Sequence, residues 1–209
     1  MSNMLWRFGD SWSVTQDNLY GNIEKNHSKY IADHFKMDWI QKGNEGTSNF
    51  EILIDIIENI HHYKENDIIL ISWSYKNRYT AVEDGKLLCT NGAAETYEKI
   101  KDIPLLKNIL MNDMIKPIND IIFYIFNSLS LSLLEKNINI YHFFIDKSGD
   151  EYTLPNKLLF ESAGNLGGFE DWCEENGYRD LSPKGNEHYT LGSQKQIANH
   201  LIERINNNV

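Results

Sequence analysis

Four short, nearly uninterrupted apolar runs recur along the chain: Leu5 to Phe8, Met37 to Ile40, Ile68 to Ile71 and Ile138 to Ile145. Runs this short that are apolar at successive positions, not at alternate ones, fit strands buried on both faces. Such strands belong to parallel sheets covered by helices. Between the first two runs lies His27 to Phe35, with Tyr30, Ile31 and His34 at helical spacing. Between the next two, Ser48 opens a stripe of Phe50, Ile52, Leu53, Ile56, Ile57 and Ile60, and Ser48 with Glu51 fits a capping box. Strand–helix–strand–helix–strand is the order a parallel sheet produces, because each parallel pair needs a crossover. The fold class expected is α/β, a three-layer α/β/α arrangement around a central parallel sheet. At 209 residues, one domain spanning 1–209 is expected.

After Arg78 the pattern changes. Asp84-Gly85 between two β-capable runs predicts a hairpin insertion over about 79–90. Residues 96–135 read as two helices with a break near Pro117. The stretch 147–187 is rich in Gly, Asn and Asp, and its length predicts a functional loop. Gln194 to Ile205 closes the chain as an amphipathic helix, with Ile197, Leu201, Ile202 and Ile205 on one side.

Composition removes several function classes. Twenty basic against thirty acidic residues leave a net charge of −10. That argues against nonspecific binding to nucleic acid or to anionic membranes, which needs clustered Lys and Arg. The longest apolar segment, Ile118 to Leu134, is broken by Asn119, Asp120, Asn127 and several serines, so no membrane span is expected. The N-terminal residues do not read as a signal peptide, which predicts a cytoplasmic or virion-associated protein. Cys89 and Cys173 are too far apart in sequence to suggest a disulfide framework or a zinc ribbon. No His/Asp/Glu cluster has metal-ligand spacing and no phosphate-binding glycine motif occurs, so no metal and no cofactor are expected. The adjacent His61 and His62 would point to different faces of a helix. His142, inside an apolar strand, reads as core.

Three features sit where elements end. Phe8-Gly9-Asp10-Ser11 puts a serine directly after the first strand, on the carboxyl side of the sheet where open α/β folds bind ligands. Asn44-Glu45-Gly46-Thr47-Ser48-Asn49 closes the second strand at a helix start, whose backbone amides can receive negative charge. Glu187-His188 precedes the final helix, where a histidine can fold back over the first strand. Each also has an ordinary reading: a generic turn, a capped helix and a surface histidine. Their order along the chain is what gives them weight.

That order resembles the SGNH (GDSL-like) hydrolase family. Gly9-Asp10-Ser11 is similar to its first block, Gly46 to the glycine of its second, and His188 with the following helix to its fifth. The resemblance spans residues 9–192 and implies a flavodoxin-like SGNH hydrolase fold. Gly167-Gly168-Phe169-Glu170-Asp171-Trp172 resembles a segment of smaller SGNH-like proteins of phages and bacteria. Two departures stand out. The position of the oxyanion asparagine in the third block is occupied by Ser74, unless Asn49 or Asn77 substitutes. The usual aspartate three residues before the histidine is Gly185, leaving Glu187 and Asp180 as nearby candidates for the triad acid.

The resemblance implies a serine esterase: Ser11 as nucleophile, His188 as general base, and the amides of Ser11 and Gly46 with Ser74 or Asn49 around the oxyanion. A small acyl group on a carbohydrate is the expected substrate. The aromatics Tyr152, Phe160, Phe169, Trp172 and Tyr178 could stack on sugar faces, or simply pack the 147–187 loop onto the domain. Arg78 is a candidate for an anionic group on the substrate, or a surface ion pair. The alternative is an SGNH-fold carbohydrate-binding or structural module that has lost the chemistry. A nucleotide-binding α/β domain ranks below both.

Overall fold

The structure, a computed structural model, describes residues 2–9, 27–43, 47–75, 78, 80–83, 86–89, 115–149, 151–160, 168–178 and 193–207. The elements are β1 (Met4–Gly9), α1 (His27–Phe35), β2 (Asp38–Gly43), α2 (Asn49–Glu58), β3 (Ile68–Trp73), β4 (Thr80–Glu83), β5 (Lys86–Cys89), α3 (Ile115–Leu134), β6 (Asn139–Phe144), α4 (Gly168–Glu175) and α5 (Gln194–Asn207). Strands β2-β1-β3-β6 form one sheet in that order, parallel throughout. The hairpin is present as β4 antiparallel to β5, Thr80 opposite Cys89. The chain is a three-layer α/β/α fold around a central parallel sheet.

Side chains alternate along each strand, so the four apolar runs feed two cores. On one face Leu5, Leu70, Tyr141 and Phe143 pack against α1, α4 and α5. On the other Trp6, Phe8, Ile69, Ile71 and Trp73 pack against α2 and α3. Each fully buried large apolar side chain contributes about 1.5–3 kcal/mol relative to exposure. The capping box at α2 is complete: Ser48 Oγ accepts from Glu51 N at 3.3 Å, and Ser48 N donates to Glu51 Oε2 at 2.9 Å. His142 is core, as its strand context predicts. Its Nε2 lies 3.0 Å from Pro155 O, and burial lowers its pKa to about 3.

Three expectations bear on these elements. Pro117 lies in the first turn of α3, where its missing N–H has no intrahelical acceptor to lose. Residues 96–114, the other part of that expectation, lie outside the described ones. The polar residues of α3 do not disqualify it as a span: Lys116–Leu134 is long and apolar enough to cross a membrane by length and composition. In this fold one side of that helix is core, with Phe123 and Phe126 closing on Trp73 edge-to-face. Third, of the two readings of the aromatics in the 147–187 stretch, the contacts are those of packing residues. Phe160, Phe169 and Trp172 are buried with Phe143, Tyr178 lies on Trp172, and Tyr152 on Phe123 and Phe144.

Candidate active site

The carboxyl ends of β2, β1 and β3 lie side by side, with Gly9 opposite Gly43 on one flank and Ser72 on the other. Gly9, the last residue of β1, has φ 144°, a conformation that side chains rarely adopt and glycine permits. Asp10 and Ser11 follow directly. Ser11, Gly46, Asp180, Glu187 and His188 lie outside the described residues, and so does Asn77. Asn49 and Ser74 lie within them.

Those two residues are bonded to each other. Asn49, at the first turn of α2, is buried, and its Oδ1 accepts from Ser74 N at 2.8 Å, just past the end of β3. Its Nδ2 donates to Asn119 Oδ1 on α3 at 3.1 Å. The Asn49 amide therefore ties two helix starts to the end of β3. Ser74 Oγ accepts from Arg78 Nη1 at 3.1 Å, and the Arg78 guanidinium stands 4.9 Å over the Tyr75 ring. Tyr75 in turn donates its hydroxyl to the Glu170 carboxylate in the first turn of α4. A chain of polar contacts thus crosses this edge from α3 to α4.

The start of α4 depends on Gly168, whose φ is +71° and whose Cβ position would fall 2.7 Å from the Asp146 carbonyl carbon. This close approach seats Glu170, whose N–H donates to Ile145 O at 2.9 Å.

A second polar cluster lies beneath the edge, on the α1–α5 side. Arg7 is fully buried in β1; its guanidinium donates to Phe8 O at 2.7 Å, Leu70 O at 3.2 Å and Ser72 Oγ at 3.2 Å. His27 opens α1, and its backbone N–H donates to Gln194 Oε1 at 3.0 Å. The ring Nδ1 is 2.9 Å from the same oxygen, which makes Nδ1 the protonated nitrogen. Burial, with the Arg7 charge adding to it, lowers the pKa of His27 to about 3 and keeps the ring neutral. Ser193 Oγ donates to Tyr178 O at 3.1 Å. The segment carrying Ser11 runs from Gly9 to His27, and that carrying His188 runs from Tyr178 to Ser193. The residues at which the two segments end, His27 and Ser193, are therefore brought together through Gln194.

Sequence reasoning missed Arg7, His27, Gln194, Tyr75 and Glu170. Arg7 carried a signal, being a charged residue inside an otherwise apolar strand. The His27–Gln194 and Tyr75–Glu170 pairs carried none, because contacts across 167 and 95 positions leave no local pattern. Among the described residues no group of three or more His, Cys, Asp or Glu could hold a metal ion.

No family model matches the chain, and no curated protein does. Two solved structures align with nearly all of it. A candidate lipolytic protein of the G-D-S-L family from Desulfitobacterium hafniense DCB-2 aligns over 97% of this chain and 99% of its own, at 14% identity and a TM-score of 0.39. The psychrotrophic esterase EstA from Pseudoalteromonas sp., in a structure inhibited by monoethylphosphonate, aligns over 98% of this chain and 97% of its own. Its identity is 12% and its TM-score 0.43. At low identity and over nearly its whole length, the chain is similar to a G-D-S-L lipolytic protein and to an esterase.

Proposed function

We propose that this protein is a serine ester hydrolase of the SGNH kind, with Ser11 as nucleophile and His188 as general base. The observation that carries the reading is the His27–Gln194 contact at 2.9 Å. It joins the residue after the Ser11 segment to a residue just after the His188 segment, within reach of the Arg7 charge of β1.

In this mechanism His188 takes the Ser11 proton as Oγ attacks the ester carbonyl. The carbonyl π pair moves onto oxygen. The resulting oxyanion is received by the backbone N–H groups of Ser11 and Gly46 and by one side-chain donor. Asn49 and Ser74 both remain candidates: Asn49 spends one of its two Nδ2 N–H donors on Asn119 and its Oδ1 on Ser74 N, and Ser74 Oγ accepts from Arg78. Collapse of the intermediate breaks the ester C–O bond, and His188 returns the proton to the leaving alcohol. Water, deprotonated by His188, then releases the acyl group from Ser11. Glu187 or Asp180 would orient the His188 ring.

A small acyl group fits the absence of a broad apolar lid in the sequence, and acetylated carbohydrates are the first substrates to try. The aromatic rings of the 147–187 stretch give that choice no support, since the core uses them. The test is p-nitrophenol release from a short-chain acyl ester. Wild type should turn over, and Ser11→Ala and His188→Ala should each fall by about 10⁴-fold or more. An inert wild type would favour the binding-module alternative.

A further inference from the structure

The helices on the two faces of the sheet differ in what they leave outside. On the α2–α3 side, Phe50, Ile54 and Ile57 of α2 and Ile121, Tyr124, Ile125 and Leu131 of α3 are each 36–74% exposed. The two helices pack into the same core on one face of the sheet and are joined by the Asn49–Asn119 bond. These side chains therefore share one outer surface. Taking roughly 200 Å² for a large side chain, they expose on the order of 700 Å². That is more than the roughly 300–600 Å² of the largest patch on a typical monomer. It is close to the roughly 800 Å² that each partner buries in a standard interface.

We propose that this α2–α3 face is the contact surface of a homodimer, a second copy of the chain covering it across a two-fold axis. Two features select a second copy. No charged residue occurs between Asp120 and Glu135, so the α3 part of the face opposes no like charges, and the acids of the face are confined to α2. Ile121, Tyr124, Ser128 and Leu131 follow one another at three- and four-residue steps, the seam that a second helix packs into. A two-fold axis sets the same seam against itself, so one patch serves both partners. A lipid surface fits less well. An interfacial helix carries Lys and Arg on its flanks, whereas α2 carries Glu51, Asp55 and Glu58. Spanning a bilayer would pull Phe123 and Phe126 out of the core.

The proposal is independent of the ester chemistry, and its test does not use activity. The full chain is run in sedimentation velocity from about 1 to 100 µM, bracketing a micromolar Kd. Wild type should sediment as a dimer within that range. Tyr124→Glu and Leu131→Glu, both at exposed positions, should remain folded by circular dichroism and weaken the dimer at least tenfold. Should either fail to fold, Ser128→Cys provides an independent check: mild oxidation should yield a disulfide-linked dimer that wild type does not form. A wild type that stays monomeric throughout overturns the proposal, whether or not it floats with phosphatidylcholine vesicles; flotation would assign the face to lipid. A dimer indifferent to both glutamates would also overturn it, by placing the interface elsewhere.

Discussion

The two ends of the sheet use buried polar side chains differently. At the amino end, the Asp67 carboxylate accepts three bonds, from Met4 N at 2.8 Å, Trp6 Nε1 at 3.0 Å and Lys64 N at 3.0 Å. All three hold the start of β3 to the start of β1 and to the preceding turn. At the carboxyl end, Asn49 bridges α2, α3 and β3, while His27 and Gln194 join α1 to α5. The His27–Gln194 bridge lies where the Ser11 segment ends and just after the His188 segment, and the Asn49 bridge just after the segment that carries Gly46. One end locks strands together and the other fixes the borders of long connecting segments, as a site built on the carboxyl edge of a parallel sheet requires.

Substitutions at the two ends should therefore separate stability from turnover. Asp67→Ala removes three hydrogen bonds and leaves the Trp6 indole N–H buried without its acceptor. It should cost about 3 kcal/mol or more of unfolding free energy in urea titrations. Turnover per folded molecule should not change. Asn49→Ala removes two bonds and should cost about 2 kcal/mol. Because it also frees the backbone after β3 beside Ser74, kcat should fall while KM moves little. Equal losses of turnover in the two variants would remove the distinction between the ends.

The buried histidines sharpen the same contrast through pH. His142 stays neutral in the native state down to about pH 3, while the unfolded chain takes up its proton near pH 6.5. The unfolded state therefore binds more protons as the pH drops below about 6.5. Stability should fall by up to about 1.4 kcal/mol per pH unit until pH about 3, where the loss is complete. His142→Gln should flatten that slope and leave turnover at neutral pH unchanged. His27 is lowered to about 3 as well and contributes the same sign. Placed at the carboxyl edge, His27→Gln should alter both the slope and turnover.

Much of the fold was legible because the strands are short apolar runs and the α2 start carries its capping box in four residues. The Asp84-Gly85 signal found the hairpin and the Ile197–Ile205 stripe found α5. Legibility ended where a residue's role depends on distant partners. Asp67 stands in the polar stretch Lys64-Glu65-Asn66-Asp67, and nothing local announces that Trp6 and Met4 donate to it. Asn49 and Ser74 read as rival oxyanion donors, and their spacing could not reveal that one holds the other. Periodicity also misjudged α3. A helix apolar nearly all round looks like an interrupted run, yet its inner residues are core and its outer ones an uncovered face.

The central claim is that Ser11 is an activated nucleophile, and covalent labelling tests it most directly. The full-length protein is incubated with a fluorophosphonate and read by intact mass and peptide mapping. One phosphonyl adduct on Ser11 is predicted, absent from Ser11→Ala and formed much more slowly in His188→Ala. An unlabelled wild type, or an adduct on another serine, would contradict the account.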